Sequence, residues 1–146
     1  MSPIHLQKIS NLLYEKHVPL LPQFITLLIR LVFSCFISHK TKIGKNTILG
    51  YGGLGIVIHE RAIIGNNCHI DQNVTIGGTS KIFQVPVIGN NVYIGAGAKV
   101  IGPVKIGNNI VIGANAVVVK DIPDNCLVAG IPGKILKTNI NINEYM

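Results

Sequence analysis

The runs IHERAIIGNNCHIDQNVTIGG (58–78) and VIGNNVYIGAGAKVIGPVKIGNNIVIGANAVV (87–118) decide the fold, because an aliphatic residue returns at every sixth place. The marks are Ile58, Ile64, Ile70, Ile76, Ile82, Ile88, Ile94, Val100, Ile106, Ile112 and Val118. A helix repeats its faces every 3.6 residues and a strand every 2, so neither alone needs a period of six. Two places before most marks stands a small or β-branched residue (Ala62, Cys68, Val74, Val92, Ala98, Val104, Ala116). Gly follows six of them, at Gly65, Gly77, Gly89, Gly95, Gly107 and Gly113. Each hexad therefore reads as a short strand with two inward side chains and then a corner. Corners spelled Gly-Asn-Asn at 65–67, 89–91 and 107–109 fit, since Gly and Asn tolerate left-handed backbone at a tight bend. The expected architecture is an all-β parallel solenoid with one face to a hexad and three faces to a coil.

Composition agrees with stacked aliphatic layers: 48% of the 146 residues are hydrophobic and only 5% aromatic. Three cysteines, Cys35, Cys68 and Cys126, are odd in number and far apart, which argues against a disulfide framework or structural zinc. The natural compartment is a reducing cytoplasm, and residues 1–22 hold no continuous apolar run of the kind a cleavable signal needs. The net charge of +7 is scattered and lacks an aromatic stacking platform, so nucleic acid is not the expected partner.

The chain divides into an N-terminal helical segment (1–37), the solenoid (38–130) and a C-terminal tail (131–146). Ile4, Ile9, Leu12 and Leu13 recur at helical spacing, Pro19 ends that element and Pro22 starts a second. The apolar run Phe24 to Ile37 contains one charge, Arg30. As helix it would span about 21 Å, too short for a bilayer. Its expected role is to cap the open end of the solenoid or pack in an assembly, with peripheral membrane contact through 24–37 as the alternative. Three extra residues in Gly50-Tyr51-Gly52-Gly53-Leu54-Gly55 make a glycine-rich bulge, and residues 77–86 read as a loop of about two hexads projecting from the coils. From Pro123 to Lys137 the tail is expected to leave the solenoid.

Ile-Gly-Asn-Asn-Val-Tyr-Ile-Gly-Ala-Gly-Ala-Lys-Val (88–100), Ile-Gly-Ala-Asn-Ala-Val-Val-Val-Lys-Asp-Ile-Pro (112–123) and Ala-Gly-Ile-Pro-Gly-Lys-Ile (129–135) closely resemble the hexapeptide-repeat acyltransferases. The nearest branch is similar to serine acetyltransferases and the related sugar or capsule O-acetyltransferases. The resemblance, over about residues 36 to 137, implies a left-handed parallel β-helix, a homotrimer and acetyl-CoA as acyl donor. It implies donor contacts at the small corners Gly95, Ala96, Gly97, Gly113 and Ala114, with Gly77 and the lysine after the last coil, Lys120. The chain departs from the serine enzymes in its short helical segment. It also lacks their Asp-His pair, which would fall near Tyr51 and Gly52, and their second His, which would fall near Val85. The acceptor is therefore expected to be a sugar hydroxyl in surface polysaccharide synthesis, with L-serine as the alternative.

Acyl transfer to an alcohol needs a base for the hydroxyl proton and donors for the charge on the tetrahedral intermediate. His59 takes a corner where most hexads have Gly, four residues after the bulge, and is the expected general base; Glu60 beside it is expected to orient the imidazole or the substrate. His69 precedes the inward Ile70 and should project from a flat face as a surface residue. His59 and His69 are ten apart, which does not suit a three-histidine zinc lyase on the same solenoid, so no metal is expected. The remaining class is a scaffold that keeps the fold without transfer.

Overall fold

The computed structural model describes all 146 residues. Two helices, α1 (Pro3–Glu15) and α2 (Leu21–Phe33), precede the coils. The first coil is β1 (Phe36–Ile37), β2 (Lys42–Ile43) and β3 (Ile48–Leu49); the second is β4 (Val57–Ile58), β5 (Ile63–Ile64) and β6 (His69–Ile70). The third is β7 (Thr75–Gly77), β8 (Val87–Ile88) and β9 (Val92–Ile94), and the fourth β10 (Lys99–Ile101), β11 (Lys105–Ile106) and β12 (Ile110–Ile112). A partial fifth holds β13 (Val117–Val118) and β14 (Cys126–Ala129), and β15 (Lys134–Thr138) follows.

Through β13 every third strand pairs in parallel, giving three faces of a prism. The first face is β1-β4-β7-β10-β13, the second β2-β5-β8-β11 and the third β3-β6-β9-β12-β14-β15. Register places Ile37, Ile58, Ile76, Val100 and Val118 in one inward column. Ten of the eleven sixfold marks are at most 3% exposed; the exception is Ile82 at 43%. Burying each such aliphatic contributes about 1.5–3 kcal/mol. Ile82 is exposed because the chain leaves the prism after β7 and re-enters at β8, so Ile76 passes to Ile88 across a single corner. The projecting loop spans the residues expected for it and adds one hexad to this coil.

The corner between second and third faces explains the Gly-Asn-Asn signature. Asn46, Asn67, Asn91, Asn109 and Asn125 all have φ between 53 and 59° and stack one above another. Their side chains form a ladder: Asn46 Nδ2 donates to Asn67 Oδ1 (3.1 Å), Asn67 to Asn91 (3.2 Å), Asn91 to Asn109 (2.9 Å) and Asn109 to Asn125 (2.9 Å). A second ladder runs beside it, in which Asn66, Asn90, Asn108 and Asp124 accept from the backbone N–H of the coil below at 2.7–2.8 Å. The paired glycines are required by proximity, since a Cβ on Gly89 would stand 2.5 Å from the Gly107 carbonyl oxygen.

The helices close the lower end of the prism. Gln7 is buried and its Nε2 donates to the carbonyls of Ser38 (3.1 Å) and Thr41 (2.8 Å), while Ile4 and Ile29 join the core. Contrary to a helix running to Ile37, α2 stops at Phe33: Ser34 turns left-handed (φ 52°) and Phe36–Ile37 become the first strand. Pro22 sits in the first turn of α2, as expected. Phe24, Leu27, Leu31 and Val32 remain exposed on this helix, and no helix is long and apolar enough to cross a membrane. The tail also differs from expectation. Cys126–Ala129 pairs in parallel with β12, and β15 folds back antiparallel on β14, so this segment extends the third face rather than leaving it.

Overpacking at a stacked corner gives a direct test. Gly89→Ala should lower stability by about 1–3 kcal/mol, read as a fall in the thermal midpoint, whereas Lys45→Ala at an exposed corner should change it little. Equal midpoints for both variants would contradict the stacking account.

Candidate functional site

Residues 59–62, 77–86 and 119–121 connect first to second faces, and residues 50–56, 71–74, 95–98 and 113–116 connect third to first. This division sorts the expected site residues. His59, Glu60, Gly77 and Lys120 stand on the first-to-second edge, whereas Gly95, Ala96, Gly97, Gly113 and Ala114 stand on the third-to-first edge. The bulge at 50–55 lies on the third-to-first edge too. It is not beside His59, as their nearness in sequence suggested, because β4 runs between them.

His59 lines a pocket of about 270 Å³ with Phe36, Val57, Glu60, Ile76 and Gly77, and its ring faces Gly78 of the projecting loop. A wider groove of about 540 Å³, lined by Arg30, Ser34, Cys35, Phe36 and Val57, adjoins it through Phe36 and Val57. The backbone N–H of Arg61 donates to His59 Nδ1 (3.1 Å). A neutral imidazole that accepts at Nδ1 carries its proton on Nε2, so in this arrangement His59 presents a donor. Glu60 pairs with Lys40 (3.2 Å) at an exposed position and does not hold the imidazole. Arg61 fixes the loop instead: its Nη2 donates to the Phe83 carbonyl (2.8 Å) and its guanidinium lies 4.2 Å over the Phe83 ring.

On the third-to-first edge the glycines answer chiefly to the coil above. A Cβ on Gly95 would stand 2.7 Å from Ala114 N, and Gly97 has φ 74° beneath Asn115. The backbone N–H groups of Gly95 and Gly113 are spent on Ile112 and Val128 carbonyls (2.8 Å each). Those of Ala96 and Ala114 have no acceptor in the chain, so they form a vertical pair of free donors. Lys99 is tied down by its Nζ bonds to the carbonyls of Asn73 (2.9 Å) and Gly97 (2.6 Å). Lys120 is exposed.

The same edge carries a cluster that linear reading missed. His69 Nε2 lies 3.1 Å from Asp71 Oδ1, and Tyr93 donates its hydroxyl to Asp71 Oδ2 (2.6 Å). The His69 and Tyr93 rings pack at 5.3 Å. Their pairing follows from the register of β6 on β9. A signal existed, since both are outward central residues of successive coils, but the extra hexad sets them 24 apart instead of 18. Gly50 at the start of the bulge has room only for hydrogen, because a Cβ there would stand 2.6 Å from Asp71 Oδ1.

The cysteines are buried, and burial pushes the Cys35 thiol up to about 11 and raises those of Cys68 and Cys126. None suits acyl carriage.

Residues 86–120 match a family of bacterial transferase hexapeptide repeats. The chain is 40% identical over 131 residues to the serine acetyltransferase of Synechococcus elongatus, covering 88% of this chain and 53% of that protein. The solved serine acetyltransferase of Neisseria gonorrhoeae superposes with a TM-score of 0.89 at 34% identity, over 95% of this chain and 54% of that one. A serine acetyltransferase solved in complex with CoA gives a TM-score of 0.85 at 33% identity, over 92% of this chain and 55% of that one. The chain thus spans about half the length of these relatives. They correct the expected acceptor: the similar proteins are serine acetyltransferases, and the sugar hydroxyl gives way to the serine alternative.

The cluster predicts an alkaline signature. The Tyr93 phenol is pushed up to about 12, first by its hydrogen bond to Asp71 and then by burial. The folded state therefore holds this proton more tightly than the unfolded chain, where the usual value is about 10. That contribution to stability is complete below pH of about 10 and is lost as pH rises toward about 12. Asp71→Asn should bring one tyrosine titration, followed by phenolate absorbance, down toward the ordinary range; an unchanged titration would contradict the assignment.

Proposed function

The chain belongs to the hexapeptide-repeat transferases, and from that footing we propose that it is an acetyl-CoA-dependent O-acetyltransferase acting on the hydroxyl of L-serine. The observation that carries this reading is a likeness to serine acetyltransferases that extends over the helices as well as the coils.

Acetyl transfer joins the serine oxygen to the thioester carbon and breaks the carbon–sulfur bond. The carbonyl oxygen gains charge on the way, and fixed N–H donors aimed at it lower the barrier. The Nε2–H of His59, facing the Gly77-Gly78 bend, is suited to that role. The free N–H groups of Ala96 and Ala114, among the small corners Gly95, Gly97 and Gly113, offer a track on which amides of the pantetheine arm can bond without side-chain obstruction. Lys120 supplies a cation for the donor's phosphates on the other edge.

These two sets lie on opposite sides of the first face, so one donor molecule touches both only where two copies meet edge to edge. Such a contact joins different surfaces, and a rotation that closes after three copies satisfies every edge. We take the assembly to be a homotrimer on that ground.

Incubation with acetyl-CoA and L-serine should release CoA thiol in step with O-acetylserine, and light scattering should give three times the 15.7 kDa chain. A monomer, or thiol release that ignores serine, would overturn the reading.

A further inference from the structure

His69 is the imidazole that stands beside the glycine-rich bulge in the folded chain, and its two nitrogens are disposed for taking a proton. Asp71 lies 3.1 Å from Nε2, and no group of the chain bonds Nδ1. A carboxylate on one imidazole nitrogen draws the proton to that side, leaves the lone pair on the other, and stabilises the imidazolium once it forms. His59 has the opposite polarity, because its Nδ1 accepts from Arg61 N–H and its remaining nitrogen is a donor.

The surroundings of His69 are built rather than incidental. Asp71 is held from its other oxygen by the Tyr93 hydroxyl at 2.6 Å, and the Tyr93 ring packs on the imidazole at 5.3 Å. The side chain of His69 is 34% exposed and that of Asp71 16%, so the carboxylate is sheltered while the ring keeps an open side. Ile48 on β3 stands in register with His69 from the coil below, and Tyr51 of the bulge acts electrostatically on Tyr93.

Position ties the cluster to the donor track. The corner 71–73 lies directly beneath the corner of Ala96, since Asp71 N–H donates to the Ile94 carbonyl (2.9 Å) and Gly97 N–H to the Gln72 carbonyl (2.9 Å). One coil is about 4.8 Å in height, so an acyl group at the lower end of the free N–H column arrives at this level.

We infer that His69 is the general base for acetyl transfer, acting from Nδ1, with Asp71 and Tyr93 as its positioning residues and a small hydroxylic acceptor held at the third-to-first edge. The inference rests on the acetyltransferase reading above. Nδ1 takes the hydroxyl proton as the oxygen–carbon bond forms. The carbon–sulfur bond breaks, and the departing CoA thiolate recovers that proton from the imidazolium.

The test measures kcat and kcat/KM for acetyl-CoA and L-serine across pH in the full chain, His69→Ala, His69→Gln, Asp71→Asn and His59→Ala, with oligomer mass and thermal midpoint recorded for each. Both His69 variants should lose about 10² to 10⁴ in kcat with the acetyl-CoA KM little changed, and added imidazole should restore part of the His69→Ala rate. Asp71→Asn removes the carboxylate that holds Nε2, so kcat should fall with the acetyl-CoA KM little changed, and the acidic limb of kcat/KM should change with it. His59→Ala should lower kcat while leaving that limb in place. Wild-type rates in a folded His69→Gln, or an acidic limb that follows His59 instead, would overturn the assignment and leave the acetyltransferase reading intact. No thiol release by the wild-type protein would overturn both.

Discussion

The structure depends on corners that must turn sharply while lying flat enough for another corner to stack on them. At the second-to-third edge this is met by a backbone that goes left-handed at Asn46, Asn67, Asn91, Asn109 and Asn125. An ordinary L-residue resists that conformation, and Asn tolerates it because its short amide can bond locally. Here the amide bonds vertically, to the Asn of the next coil, so the strain of each corner is offset by a contact that exists only when the coils are in register. Glycines such as Gly65 and Gly89 leave the space in which the next carbonyl sits. Register at this edge then fixes which side chains face inward on all three faces, since a slip of one residue would reverse every strand.

With one edge so regular, departures at the other two edges become conspicuous. The bulge at 50–55 disturbs the third-to-first edge and the loop after Gly77 disturbs the first-to-second edge. Both flank the first face, and the polar chemistry of the molecule collects beside them. The second-to-third edge, by contrast, is filled by amide ladders and offers no free side chain of that kind.

Two imidazoles border this face, and their backbone settings give them different chemistry. His59 follows a strand end and receives the N–H of Arg61, two residues on, which fixes it as a donor toward the loop. His69 sits at mid-strand, where the neighbouring strand brings Tyr93 alongside and the following corner swings Asp71 back under the ring. Both settings put the proton on Nε2, but the nitrogen left open is a donor on His59 and a lone pair on His69, so similarity of residue type does not imply similarity of role. Cys68 illustrates the same dependence on setting: it fills a small inward slot, bonds to carbonyls of Asn66 and Gly89, and is a core residue rather than a nucleophile.

The sixfold aliphatic rhythm and the Gly-Asn-Asn corners were enough by themselves to specify a parallel solenoid, its inward columns and the hexads that depart from regularity. They were enough because each is a local requirement, an apolar side chain every third of a coil and a residue able to bend left-handed. Phe36–Ile37 were misread where the apolar run continued through a change of path that only the rest of the chain enforces. Which edge each functional residue occupies was decided by tertiary structure alone. Residues 55 and 59 are close in sequence yet lie on different edges because a strand separates them, whereas 69, 71 and 93 meet because coils stack at hydrogen-bond spacing. Contacts between coils join residues a full circuit apart, and an inserted hexad changes the length of that circuit without altering the rhythm that a linear reading follows.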